Sequence, residues 1–183
     1  MQRYVALLGG INVGGHRVKM ADLRRHFEAL GFGKVATFIA SGNVVFDSAS
    51  TDAPRLQTRI ERHVSDLLGY RVPTFLRTIE EIAAVAAYEP FTPAELARGV
   101  HTVSVLFLAD ALSPETGRTL LTFRTPVDEL HIAGREVYWL CRNKTTESLV
   151  DWKQVGKSVT LPKATMRNAQ TVRGLAARYG EGR

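Results

Sequence analysis

Only one cysteine, Cys141, occurs in the 183 residues, which excludes an intramolecular disulfide and any zinc site built from several thiolates. Long hydrophobic runs are missing as well. The longest apolar stretches, such as residues 103–109, are strand-sized and interrupted by polar residues, far short of the roughly 20 apolar residues that span a bilayer. The N-terminus, Met1-Gln2-Arg3-Tyr4, leads straight into a strand-like pattern without the apolar segment and small-residue cleavage site of a signal peptide. No low-complexity tract interrupts the chain. The five histidines, His16, His26, His63, His101 and His131, show no metal-ligand spacing, and none lies in a nucleophile or triad motif. These absences lead to the expectation of a cytoplasmic protein with no membrane association, no cofactor and no metal.

What is present is ordinary globular material. Apolar residues make up 45% and charged residues 23%, and the length suffices for one large domain or two small ones, each with its own core. The net charge of +6 is unevenly placed: residues 1–140 hold 15 basic and 15 acidic side chains, and residues 141–183 hold 9 and 3. The basic end comprises Lys144, Lys153, Lys157, Lys163, Arg167, Arg173 and Arg178 among others. It reads either as a solvated face or as a surface for a polyanion.

Residues 4–8 alternate like a strand and end at Gly9-Gly10. After a loop to Lys19, Met20, Leu23, Phe27 and Leu30 recur at helical spacing, with Asp22, Arg24, Arg25 and Glu28 on the other face. Gly31 suits the left-handed position that ends a helix, with Phe32 folding back on the last turn. Residues 35–40 and 44–47 are strand-like and flank the turn Ser41-Gly42-Asn43, which predicts a hairpin. Leu56, Ile60, Val64 and Leu67 mark a second helix opened by Asp52 and Pro54 and closed by Gly69. Leu30-Gly31-Phe32 before Val35, and Leu68-Gly69-Tyr70 before Val72, repeat one pattern of helix, glycine, aromatic and strand. This predicts a ferredoxin-like βαββαβ N-terminal domain over residues 1–77. A helical junction is expected over 78–99, with its helix at 82–87. A second, related α+β subdomain is expected over 100–183: a strand at 101–108, a helix start at Ser113-Pro114-Glu115, a hairpin of 130–133 and 136–141 around Gly134, and a closing helix through Val172, Leu175, Ala176 and Tyr179 with Asn168 as its cap.

In a split βαβ unit the first two strands run parallel with the third between them. The loop after strand one and the turn after strand two therefore emerge at one sheet edge, beside the start of the first helix. Free N–H groups at such a helix start favour an anion or a carbonyl. Gly9, Gly10, Gly14 and Gly15 let the backbone present successive N–H groups, and Asn12, His16, Arg17, Lys19, Ser41 and Asn43 are candidates for side-chain contacts around Gly42. The segment matches neither a dinucleotide fingerprint nor a P-loop. Gly156-Lys157-Ser158 imitates the end of a P-loop, but Asp151 stands where the loop needs its first glycine. Thr165-Met166-Arg167-Asn168, just before the closing helix, adds Arg167 and Asn168 as possible anion contacts or caps. Cys141 reads as a packed thiol, and Glu80-Glu81 and Asp128-Glu129 as pairs at element starts. The first and third strands lack the aromatic pattern of an RNA-binding βαββαβ domain.

The run Tyr4-Val5-Ala6-Leu7-Leu8-Gly9-Gly10-Ile11-Asn12-Val13-Gly14-Gly15, then Lys19-Met20 and Ser41-Gly42-Asn43-Val44-Val45-Phe46, resembles the bacterial domain of unknown function family 1697. Thr165-Met166-Arg167-Asn168 with Thr171-Val172 resembles that family's closing motif. The resemblance implies an α+β fold of ferredoxin-like character and no established activity. It also implies two departures: Gly9 stands where the family usually has Arg, and Ala169 where it usually has an aromatic residue, typically Trp.

Three functional readings follow. The first is a binder of a phosphorylated or other small anionic ligand, held by the glycine-rich loop and the Ser41–Asn43 turn. The second is an enzyme acting on a small substrate at the same place, oriented by Asn12, Ser41 and Asn43, with His16 as acid or base. The third is a nucleic-acid or protein interaction module using the basic C-terminal segment.

Overall fold

The computed structural model describes residues 1–12 and 17–180. Its elements come in two rounds of the same order. The first round is β1 (Gln2–Leu8), α1 (Met20–Ala29), β2 (Gly33–Phe38), β3 (Asn43–Ser48), α2 (Ala53–Leu68), β4 (Thr74–Thr78) and α3 (Ile79–Ala87). A short α4 (Pro93–Ala97) precedes the second round. That round is β5 (Thr102–Leu108), α5 (Pro114–Leu121), β6 (Asp128–Ala133), β7 (Glu136–Cys141), a 3-10 turn (Thr145–Glu147), α6 (Trp152–Ser158), β8 (Ala164–Asn168) and α7 (Ala169–Tyr179). The sheet orders are β2-β3-β1-β4 and β6-β7-β5-β8, antiparallel throughout. Both are the ferredoxin-like split arrangement, so the expected α+β class holds and the second half repeats the topology of the first.

The helices form where the apolar spacing and the caps place them. In α2, Leu56, Ile60 and Val64 are buried, Asp52 Oδ1 accepts the Arg55 N–H at 3.0 Å, and Gly69 ends the helix at φ 75°. In α1, Leu23 and Phe27 face inward, and the Gly31 N–H donates to the Glu28 carbonyl at 2.8 Å with φ 77° at Gly31. Tyr4, Ala6 and Leu8 of β1, Val44 and Phe46 of β3 and Leu76 of β4 meet these helices in one core. Residues of opposite parity, Val5, Leu7, Val45, Phe75 and Arg77, are buried too, so the sheet is not of the kind with one wet face. In the second round, Leu108, Leu130, Val137, Trp139 and Cys141 pack with Leu120 of α5 and Val155 of α6.

Edge strands leave backbone groups open, and β4 closes its outer edge with side chains. The alternate N–H groups of Thr74, Leu76 and Thr78 donate to Glu61 Oε1 (2.7 Å), Gln57 Oε1 (3.4 Å) and Glu81 Oε2 (2.7 Å). At the other edge, β2 carries a bulge between Gly33 and Ala36, with Lys34 at φ 47°.

Two compact units are formed by Met1–Ala86 with Arg173–Arg183, and by Ala87–Val172. The sequence division at 77 and 99 follows chain order, whereas the C-terminal residues group with the first unit. The reason is local packing: a Cβ on Gly174 would stand 2.8 Å from Phe38 Cζ, and the Tyr179 ring meets Phe38 edge-on at 6.2 Å. The junction helix begins at Ile79, directly after β4, rather than at residue 82, and Pro93 opens α4 behind a Thr92–Glu95 capping box.

Candidate ligand-binding site

The chain between β1 and α1 meets the β2–β3 turn at one end of the first sheet, as the topology requires. The Leu8 N–H donates to the Gly42 carbonyl at 2.8 Å, and the Gly9 N–H to the Pro73 carbonyl at 2.7 Å. Ile11 is buried and seats against Gly42, where an added Cβ would come within 2.8 Å of Ile11 Cγ2 and 3.2 Å of Leu8. Only glycine fits there, because Gly42 also has φ 71°. Gly10, at φ 67°, makes the preceding bend in open space.

Asn12 ties three segments together. Its Oδ1 accepts the Val18 N–H at 2.9 Å, and its Nδ2 donates to the Ala40 carbonyl at 3.4 Å. One side chain thus binds the loop's beginning to its end and to the neighbouring turn. The Tyr70 hydroxyl adds a fourth segment by donating to the Ile11 carbonyl at 2.8 Å. Burial raises the Tyr70 pKa above its ordinary value. Tyr70 escaped the sequence reading, where it served only as the aromatic in a helix-glycine-aromatic echo. The signal was its hydroxyl, which Phe32 in the first copy of that echo lacks.

The expected contact residues divide into two groups. Gly10, Asn12, Arg17 and Lys19 are exposed, and Lys19 stands immediately before α1. Ser41 is half-buried and Asn43 fully buried. Asn43 Nδ2 donates to the Phe38 carbonyl at 3.1 Å and to Ser41 Oγ at 2.7 Å, so its amide folds the hairpin turn. Gly14, Gly15 and His16 lie outside the described residues. Arg167 and Asn168 belong to the second unit. Asn168 Oδ1 accepts the Gln170 N–H at 2.8 Å, a helix cap as expected. Arg167 is interior: its guanidinium donates to Thr165 Oγ1 and the Met166 carbonyl, both at 2.8 Å, and burial lowers its pKa to about 10. Arg77 repeats this placement. It faces Val5 in register as Arg167 faces Val105, and it donates to the preceding Leu76 carbonyl at 3.0 Å.

The start of α1 differs from those of α2, α4, α5 and α6. Asp52, Ser113 and Asp151 cap α2, α5 and α6 with side-chain acceptors, and Thr92 caps α4. At α1 the cap position holds Lys19, in extended conformation, with no side-chain hydrogen bond. A lysine here opposes the helix dipole, and an anion placed beside it would satisfy both. Next to this end, Ile39 is 53% exposed and holds φ 48°, a left-handed conformation that costs a β-branched residue on the order of 1–3 kcal/mol.

The remaining sequence candidates have structural places. Gly156-Lys157-Ser158 lies inside α6 rather than in a phosphate-binding loop. Cys141 is a buried free thiol whose pKa burial pushes up. Asp128 is fully buried and accepts from Thr125, Trp139, Ser148 and the Leu149 N–H, which orders the second unit's core. Among the described residues no group of three or more His, Cys, Asp or Glu could hold a metal ion, and no helix is long and apolar enough to cross a membrane.

A family model described as a protein of unknown function, DUF1697, matches residues 1–138. That span contains the β1–α1 segment and the β2–β3 turn. A conserved bacterial protein from Streptococcus pneumoniae has a similar solved structure, with a TM-score of 0.78 and 24% identity over 99% of each chain. No curated protein matches the chain.

Proposed function

The chain belongs to the DUF1697 family of proteins of unknown function, and from its geometry we propose that it binds a small anionic or phosphorylated ligand between β1 and α1. One observation carries this reading: the cap position of α1 holds a lysine, where α2, α5 and α6 have a side-chain acceptor. Helix N–H groups, Lys19 and the adjacent Arg17 would meet the ligand's charge. The surrounding clamp supports the reading because it fixes the two ends of the segment between β1 and α1. Asn12 and Tyr70 hold Ile11 and Val18 to the β2–β3 turn and to the segment before β4. A ligand there would spend less of its binding free energy on ordering the chain.

With Gly9 after β1, the charge would come from Arg17, Lys19 and the helix end. The test is a thermal-shift panel of nucleotides and sugar phosphates on the wild type, Asn12→Ala and Lys19→Ala. A ligand at 100 times its Kd stabilises by about 2.7 kcal/mol. The wild type should gain such a shift with at least one compound, and both variants should lose most of it. No stabilisation by any compound, or equal shifts in all three proteins, overturns the reading.

A further inference from the structure

Along α2, away from the β1–α1 segment, lies a groove of about 730 Å³ whose walls include Leu30, Arg55, Thr58, Arg59, Arg62 and His63. Its volume is in the range of small-ligand sites. The three arginines fall at i, i+4 and i+7, so they share one helix face over about 10 Å of axis, more than a single phosphate spans.

The three guanidiniums are held differently. Arg59 is fixed: it donates to the Leu30 carbonyl at 2.6 Å, and its guanidinium lies 5.5 Å from the centre of the Phe32 ring. That leaves its remaining N–H donors oriented, with their conformational freedom already spent. Arg55 has no ion-pair partner among the described residues. Among the described residues Arg62 pairs with Asp66 alone, at 3.8 Å, with both side chains largely exposed. Two carboxylates also line the groove, but Asp52 is occupied as the cap of α2, and Asp66 sits at the far end of the arginine row. His63 also lines the groove, and its Nε2 is buried with no hydrogen-bond partner among the described residues.

From these observations we infer a second binding site on α2, for a small ligand carrying two or more phosphate groups. The arginines supply bidentate donors at spaced positions, Arg59 supplies a fixed anchor, and the floor beside Leu30 takes the ligand's less polar part. This site shares no residue with the β1–α1 segment, so the two can fail separately.

Sodium tripolyphosphate is the probe, titrated into the ¹⁵N-labelled protein and followed by amide shifts, with sodium sulfate at matched ionic strength as control. The expected result is saturable shifts at residue 30 and residues 52–66 that sulfate does not reproduce. Arg55→Ala/Arg62→Ala should weaken the affinity at least tenfold, and Asn12→Ala should leave it unchanged. Both arginines are exposed, so the double variant should keep the fold, which its amide spectrum checks. Absence of saturable shifts on α2, or unchanged affinity in the double variant, overturns the inference. So does an oligonucleotide that shifts the same amides with steep salt dependence where tripolyphosphate does not.

Discussion

Gly42 and Ile11 pack so closely that a Cβ on Gly42 would stand 2.8 Å from Ile11 Cγ2. This contact seats the segment after β1 against the β2–β3 turn, and Gly42 holds it at φ 71°. Gly42→Ala should therefore lower stability by about 2–3 kcal/mol in urea unfolding, from clash and strained φ together. Gly10→Ala meets only the φ penalty, because nothing lies within 4 Å of its Cβ direction, and should cost about 1 kcal/mol. Equal losses in the two variants would show that close packing at Gly42 is unimportant.

Gly9 is a glycine of another kind. Its φ lies outside the left-handed region, and an added Cβ would meet Pro73 O at 3.4 Å and Phe75 Cε2 at 3.5 Å, ordinary contacts at most slightly tight. Gly9→Arg should change stability by less than about 1 kcal/mol. It should also tighten the binding of phosphorylated compounds at the β1–α1 segment, as measured by isothermal titration. Unchanged affinity in a fully folded variant would place the ligand elsewhere.

Ile39 holds a left-handed backbone with about half its side chain in solvent. Asn tolerates this conformation far better, and little buried surface is lost. Ile39→Asn should raise the midpoint of thermal unfolding, corresponding to about 1 kcal/mol. A lower midpoint would mean that the exposed isoleucine makes contacts worth more than its strain.

Glu95 shows a pH dependence with a defined sign. The Thr92 backbone N–H, then the Thr92 hydroxyl and His131, hold its pKa down at about 2 against 4.5 for a free carboxyl. A depressed carboxylate contributes stability that is complete above about pH 4.5 and is lost as the pH falls towards 2. Stability measured across that window should fall less steeply in Glu95→Gln, which keeps a capping-box residue but no titrating group. An unchanged slope would remove Glu95 from the acid response.

Much of the fold was legible because it follows from short-range chemistry. The apolar spacing of Leu23 and Phe27, and of Leu56, Ile60 and Val64, marks the inner faces of α1 and α2. Gly31, Gly69 and Gly134 take the left-handed turns their positions require, and Asp52 and Ser113 cap the helices they precede. The echo of helix, glycine, aromatic and strand carried the βαββαβ order, and that order alone brought the β1–α1 segment to the β2–β3 turn.

What the tertiary structure decided is which polar side chains are buried and which stay exposed while bridging distant segments. Asn12 and Asn43 look equivalent in sequence. Asn43 is fully buried within its own turn, whereas Asn12 is exposed and bridges Val18 and Ala40. Arg167 looks like an anion contact beside a helix start, yet it is interior, in the register position that Arg77 holds in the first sheet. Tyr70 reaches Ile11 across 59 residues, and Gly174 receives Phe38 across a still longer separation. Local sequence sets helix faces, caps and turns because their partners lie within a few residues. These other roles are fixed only when the sheet closes, since each depends on a distant segment arriving at hydrogen-bond or van der Waals distance.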